Sequence, residues 1–438
     1  MSPGSSPSSA SSVSRTTSQR RTYALAILTV TATAAVYARF TLSPLQEAIQ
    51  SDLSLTDNQI ALLQGPALAI PGVVCAIPLG LAADKMSRGR LLFILTSLIF
   101  SGGLLTAFAS NFETLLLGRI VVGAAVPAIS TAIFSLIGDL CPPEQRGRAS
   151  ILIAVGQYMG LSAAFMFGGL LLGKLGFNGW HRVIFYLDLP IVLIACILLQ
   201  LAEPAREPRP SEEMQERGSF RELWQHRHVV GTIVTGLVMG DMAVFAVLTW
   251  ALPAFVRSFS LPPERIGALM SATVLVSGVI GPAVGGFLAD ACQKTGGTRK
   301  TVYCLSLLAL VSCPVGLFPV MKNLAAAIVM LVSFSTIGNA ILVTGIALTT
   351  VVVPRSIRGL TIAFSASVQN LVGIGLVPLI VSTLSAALGG GAKIGIALAI
   401  VCTVAGIVAS VTFASGARRF SPAHPQGSIA LSTSSNGV

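Results

Sequence analysis

Four charged residues stand inside stretches that are otherwise almost wholly apolar: Arg39, Arg119, Asp188 and Asp241. In hydrocarbon, a charge at the centre of a helix costs about 2.5–3.5 kcal/mol on the insertion scale, so such residues face a cavity or a partner. An arginine at depth is suited to holding a carboxylate or phosphate. A carboxyl at depth is suited to a different task. Apolar surroundings favour its neutral form, and an acid that exchanges a proton near neutral pH can tie solute movement to a proton gradient. Arg119 is the candidate for the anion contact. Asp241 lies mid-way along its apolar run, too short to reach a surface, and is the first candidate for the proton. Arg39 lies near the end of its run, where snorkelling to the surface competes with a functional role. Asp188 lies early in its run and reads as a structural acid. Gln64, Gln157, Tyr158, Asn339, Gln369 and Asn370 add neutral polar groups at depth. Each suits either a helix-to-helix hydrogen bond, worth about 0.6 kcal/mol, or a substrate contact. Trp250 suits an interfacial anchor or a cavity wall equally well.

Chemistry of other kinds has little support. The chain has no HExxH, GxSxG or P-loop pattern, and His181, His226, His228 and His424 fall in polar connections or the C-terminal tail. The seven cysteines form no CxxC pair and read as small buried apolar residues, with no disulfide or metal framework. No enzyme activity, cofactor or metal is expected. A net charge of +11 raises nucleic acid as a partner. That reading needs the bases gathered on one face, whereas here they form short clusters between apolar runs, so no nucleic-acid partner is expected.

Those clusters describe topology. Hydrophobic residues make up 53% of the 438 and charged ones only 10%, against about 25% charged in a soluble protein. The expectation is an all-α integral membrane protein. About 20 apolar residues span a bilayer as helix, whereas barrel strands would need only about ten of alternating polarity. Twelve such runs are present: 22–47, 58–82, 91–109, 114–139, 149–173, 183–202, 229–256, 265–289, 301–320, 324–351, 359–387 and 393–413. Of the 28 basic residues, Arg39, Arg119, Lys174, Arg182, Arg257, Arg265, Lys322 and Lys393 fall elsewhere, and the other 20 lie on the side that holds both termini. That side is therefore cytoplasmic. The spans divide into an N-terminal six-helix bundle (22–202) and a C-terminal one (229–413), joined by a cytoplasmic loop (203–228) and flanked by tails (1–21, read as disordered, and 414–438).

The two halves repeat each other. "LSLTDNQIALL" at 53–63 is matched by "FSLPPERIGALM" at 259–270, and Gly80 and Asp84 by Gly286 and Asp290, all 206 residues on. "EQRGRA" at 144–149 returns as "SIRGLT" at 356–361, 212 residues on. Duplication of this kind builds many secondary transporters. Glycine pairs at 156/160, 236/240 and 281/285 allow close helix approach, and Gly281-Pro282 invites a bend.

Several stretches resemble the major facilitator superfamily. Its signature between spans two and three, roughly Gly-x-Leu-Ala-Asp-Arg-x-Gly-Arg-Arg, appears as Gly80 to Arg90 with Asp84, Lys85, Arg88 and Arg90. Gly286 to Asp290 is a cleaner copy. Arg119 with Gly123, "DLCPPEQRGRA" at 139–149 and "GWHRVIFYLDLP" at 179–190 are similar to further superfamily stretches. Within it, "FRELWQHRHV" and "LTWALPAFV" resemble bacterial spinster-like members, which move lysolipids, sphingoid lipids or other organic solutes, some with protons. The chain departs from the spinster pattern at two acids: Ala38 precedes Arg39, and Val126 stands seven residues after Arg119. Coupling through those acids does not carry over.

The resemblance implies the major facilitator fold, with twelve helices in two pseudo-symmetric bundles, and alternating access around a cavity between the halves. It also implies a cytoplasmic gate in which Asp84, and by the repeat Asp290, pairs with bases such as Arg146 or Arg358. The expected activity is secondary transport of a small organic or amphipathic, anionic or zwitterionic solute, by a monomer in the plasma membrane (the inner membrane of a bacterium). A broad-specificity drug exporter and a non-transporting receptor or sensor are the alternatives.

Overall fold

The computed structural model describes residues 8–200 and 220–417, apart from the side chains of residues 8–20, 80–85 and a few single positions. These residues are almost wholly helical: α1 (Ser8–Phe40), α2 (Gln46–Asp52), α3 (Asp57–Gln64), α4 (Pro66–Lys85), α5 (Arg88–Ala107), α6 (Phe112–Leu140), α7 (Pro143–Leu175), α8 (Trp180–Leu198), α9 (Phe220–Gln225), α10 (Arg227–Phe259), α11 (Pro263–Val315), α12 (Leu324–Val352), α13 (Arg355–Gln369), α14 (Val377–Ala387) and α15 (Ile394–Ala417). A π-helical segment, Asn370–Leu376, joins α13 to α14.

Eleven of these stretches are long and apolar enough to cross a bilayer. One of them, Pro263–Val320, is 58 residues long, over twice what a hydrocarbon layer of about 30 Å requires. It turns back on itself. Gly297 has φ 62 and ψ −158, outside the helical region, a conformation open to glycine because it lacks a Cβ. The Cys292 and Cys304 thiols lie close enough to act on each other across the break, although a straight helix would hold them about 18 Å apart. α11 therefore crosses twice and the count is twelve, in the two six-helix bundles expected.

Helix ends differ from the sequence reading at both tails. α1 begins at Ser8, inside the stretch read as a disordered tail to residue 21; extending an existing helix is far easier than nucleating one. α15 ends at Ala417 rather than 413. Most of the 203–228 loop lies outside the described residues.

The duplication recurs in the hydrogen bonding. α6 and α12 are both 29 residues long. Asn111 caps the first, its Oδ1 accepting the Thr114 N–H at 2.9 Å. Asn323 caps the second, accepting the Ala325 and Ala326 N–H groups at 2.9 and 3.2 Å. At the far ends, the Arg146 Nε donates to the Cys141 carbonyl at 3.1 Å and the Arg358 Nη2 to the Val353 carbonyl at 3.4 Å. Each arginine thus sits where a helix leaves carbonyls unsatisfied and favours a cation.

The apolar core is shared at one face and divided at the other. A single cluster joins both halves around the turn after α1, running through Leu45, Ile49, Trp180, Trp250, Phe255 and Phe318. Toward the opposite face the core splits into one cluster built almost wholly from the first half and another entirely from the second. The halves are therefore packed together at the face carrying residues 41–57, called here the sealed face.

Candidate functional site

A cavity of about 200 Å³ lies at depth between the halves, lined by Arg39, Phe40 and Tyr158 from the first half and by Asp241, Phe245, Ser277 and Asn339 from the second. α10 supplies Asp241 and Phe245 one helical turn apart, and α1 supplies Arg39 near its end. The Arg39 guanidinium stands 5.6 Å from the Phe40 ring centroid and 5.8 Å from that of Phe245, a cation–π arrangement that steadies a charge without neutralising it. Asp241 is its electrostatic counterpart across the cavity. Tyr158 donates its hydroxyl to the Asn339 Oδ1 at 2.7 Å, bridging the halves. Asn339 in turn donates to the Ser335 and Ser277 carbonyls at 3.0 and 3.3 Å.

Arg39 also lines a second cavity of about 400 Å³, whose other walls include Leu68, Ala69, Val73, Val126, Pro127 and Asn370. One guanidinium thus lines both chambers, each of them walled mostly by apolar side chains.

Arg119 is only 2% exposed. Its Nη2 donates to the Arg39 carbonyl at 2.7 Å and its Nε to that of Leu63 at 3.3 Å, so it steadies the end of α1 from behind the cavity. Gln64 is also set back. Its side-chain amide donates to Gln46, and its carbonyl oxygen accepts the Ser43 hydroxyl at 2.9 Å. Gln46 completes the link between halves by donating to the Thr249 carbonyl at 2.9 Å. Trp250 is fully buried and donates its indole N–H to the Pro378 carbonyl at 3.1 Å. Gln157 is half-buried and lines neither cavity. Gln369 donates to Ser365 at 2.7 Å within its own helix.

Of the expected gate residues, Gly80, Asp84 and Lys85 have side chains outside the described residues. Arg88 pairs with Asp139 on α6, Arg90 and Asp290 are exposed, and Gly286 faces open space. Arg146 and Arg358 are engaged with helix-end carbonyls, as above.

Sequence reasoning missed a cluster at the sealed face. Arg257, at the end of α10, donates to Glu47 (2.7 and 3.2 Å), Asp57 (2.8 and 3.0 Å), Gln50 (2.9 Å) and the Gly391 carbonyl (3.0 Å). Glu47, Gln50 and Asp57 belong to the first half and Arg257 to the second, so these bonds clamp the halves together. The signal was present: Glu47, Asp52 and Asp57 put three acids into one short connection, opposite one of the few bases on that side.

Residues 26–378 match the family model of the Major Facilitator Superfamily. The chain belongs to that superfamily. Among solved structures, it is similar to a bacterial homologue of the human lysosomal transporter Spinster in an inward-facing, unoccupied conformation. The TM-score is 0.74 over 95% of this chain and 96% of that one, at 19% identity, which bears on fold alone. Among curated relatives, it is 29% identical over 187 residues to a triacylglyceride transporter of Mycobacteroides abscessus, covering 42% of this chain and 34% of that protein. It is 30% identical over 218 residues to the minor myo-inositol transporter IolF of Bacillus subtilis, covering 48% and 49%. The match thus spans a third to a half of these relatives' lengths.

Proposed function

We propose that the chain is a secondary transporter, not an enzyme, which carries a small organic or amphipathic solute with an anionic or zwitterionic head across the plasma membrane by alternating access. The observation that carries this reading is the placement of Arg39 between the two cavities. Its guanidinium is available to a carboxylate or phosphate, Tyr158 and Asn339 offer orienting hydrogen bonds, and the mostly apolar walls of both chambers suit an apolar body. The relatives' names, which span a triacylglyceride and a polyol, agree with transport and leave the solute open.

The distribution of lysine and arginine supports cytoplasmic termini. The sealed face is then external and the structure inward-facing. The Arg257 clamp holds the external side shut, and the Asp84 motif, with Arg146 and Arg358 as its candidate partners, serves the cytoplasmic side when it closes. Nothing in the site needs a second copy, which supports a monomer. Asp241 is the coupling acid of the cavity. Ionised, it balances Arg39; protonated, it leaves the Arg39 charge to the solute's anion.

A thermal-shift screen of the purified protein against metabolites identifies a solute, and proteoliposome uptake under an imposed pH gradient tests the rest. Uptake is expected to rise when the side facing the sealed surface is made acidic, and Asp241→Asn is expected to remove that stimulation. Full gradient-driven uptake by Asp241→Asn refutes the role of Asp241. Binding without flux points to a receptor, and stimulation by many unrelated compounds to a broad exporter.

A further inference from the structure

One buried acid lies outside both cavities that Arg39 lines. Asp188 on α8 is 2% exposed, and its Oδ2 has no hydrogen-bond partner among the described residues. Leaving a buried polar atom in that state is costly, most of all for a charged group. The niche is nevertheless shaped for the carboxyl. On α5, a Cβ added to Gly103 would fall 1.6 Å from the Asp188 Oδ2, so any other residue there would displace it. Beside the carboxyl is a pocket of about 10 Å³ whose walls include Thr41, Thr106 and Arg119, close to the room one water molecule needs. Thr41 and Thr106 give their hydroxyl hydrogens to the Tyr37 and Gly102 carbonyls, each four residues earlier in the chain. Arg119 acts on Asp188 electrostatically but donates from Nε and Nη2 to main-chain carbonyls.

We propose that Asp188 is a second proton-binding site of the transport cycle, set apart from the solute cavity and linked to it through Arg119 and Arg39. This inference rests on the transporter reading. Asp188, Arg119, Arg39 and Asp241 form a series from α8 through α6 and α1 to α10, in which each group acts electrostatically on the next. With both acids ionised the four charges cancel. One proton on the Asp188 Oδ2 leaves a net positive charge beside the residue that lines both cavities. Proton binding therefore favours an anionic head at Arg39, and by reciprocity the bound anion favours the proton. No covalent bond other than O–H is made or broken; the proton comes from and returns to water. The other groups facing Asp188 leave this balance intact. From α1 the neighbour is Tyr37, a phenol that is neutral at physiological pH. From α6 it is Arg119. Between Arg90 and Ala107, α5 carries no titratable side chain, and between Arg148 and Lys174 α7 carries only Tyr158.

Infrared difference spectroscopy of the full chain in lipid nanodiscs, titrated over about pH 5 to 9, tests this with the proton itself as probe. A protonated-carboxyl C=O absorption is expected to appear on acidification in the wild type, with one component that survives in Asp241→Asn and is absent from Asp188→Asn. If Asp188→Asn does not fold, Asp241→Asn decides: a surviving band supports the proposal and a lost one overturns it. No titrating band in the wild type, or one unchanged in Asp188→Asn, also overturns it, and wild-type uptake in proteoliposomes then leaves the transporter reading standing. Failure of that uptake, with the band assigned to Asp188, sinks the transporter reading instead.

Discussion

Two arginines of this chain are held in opposite ways. At the sealed face, Arg257 is about one-fifth exposed and meets two carboxylates from the other half at hydrogen-bond distance. At depth, Arg119 is almost fully buried and meets main-chain carbonyls, while Asp188, the acid nearest in charge, keeps an oxygen unpaired. The first arrangement is complete: every strong donor has a strong acceptor, and the product is a closed contact between halves. The second is unfinished in the same sense. It keeps charge available where hydrocarbon makes charge expensive, which is useful only if something arrives to complete it. A clamp and a poised site are thus built from the same residue type, distinguished by how many carboxylates each arginine is given.

Removing Arg119 should break the poised site with the largest effect. Arg119→Leu removes two buried hydrogen bonds to main-chain carbonyls and the positive charge that acts on Asp188, and each buried polar group left unpaired costs about 1–3 kcal/mol. Thermal unfolding in detergent should register that loss, and uptake should fall to background. The double variant Arg119→Leu with Asp188→Asn should regain most of the stability and none of the uptake. Recovery of uptake would mean that Arg119 serves the fold alone.

Arg257→Ala should act on state occupancy instead. Hydrogen bonds between charged groups contribute about 1.5–3 kcal/mol net, so losing the cluster should shift the balance away from the sealed state by roughly 10- to 150-fold. Spin labels at Ser51→Cys on α2 and Ala387→Cys on α14 read the distance across this face. The variant should populate a longer distance that the parent lacks. An unchanged distribution would mean that the shared apolar core, not the ion cluster, holds the face shut.

How much of this was legible in the residue order follows the same division. The twelve crossings were legible because run length answers directly to bilayer thickness. The repeat was legible too, because the contacts that recur, such as those of Arg146 and Arg358, are local ones between a helix end and the start of the next. Arg39 and Asp241 stood out because a lone charge in an apolar run is costly. The Arg257 cluster did not, since charges near a membrane surface cost little and their pairing depends on which loops meet in three dimensions. Asp188 was read as structural because its position in the chain says nothing of Gly103, which makes its niche 85 residues earlier. Trp250 was left between anchor and cavity wall; the structure buries it away from both, since only packing decides where an indole points.

Trp250 supplies the smallest and most discriminating change. Its indole N–H ties α10 to the start of α14 through the Pro378 carbonyl, next to the clamp in the chain but outside both cavities. Trp250→Phe keeps most of the apolar volume and removes one neutral hydrogen bond, worth about 0.5–1.5 kcal/mol. Melting temperature should fall by a few degrees, with the spin-label distance of the sealed face and the solute affinity both unchanged. A shift in affinity would place the indole in contact with the solute path. A shift in the distance would make this bond part of the clamp, and the division between a locked face and a poised interior would then have to be redrawn about two helical turns deeper.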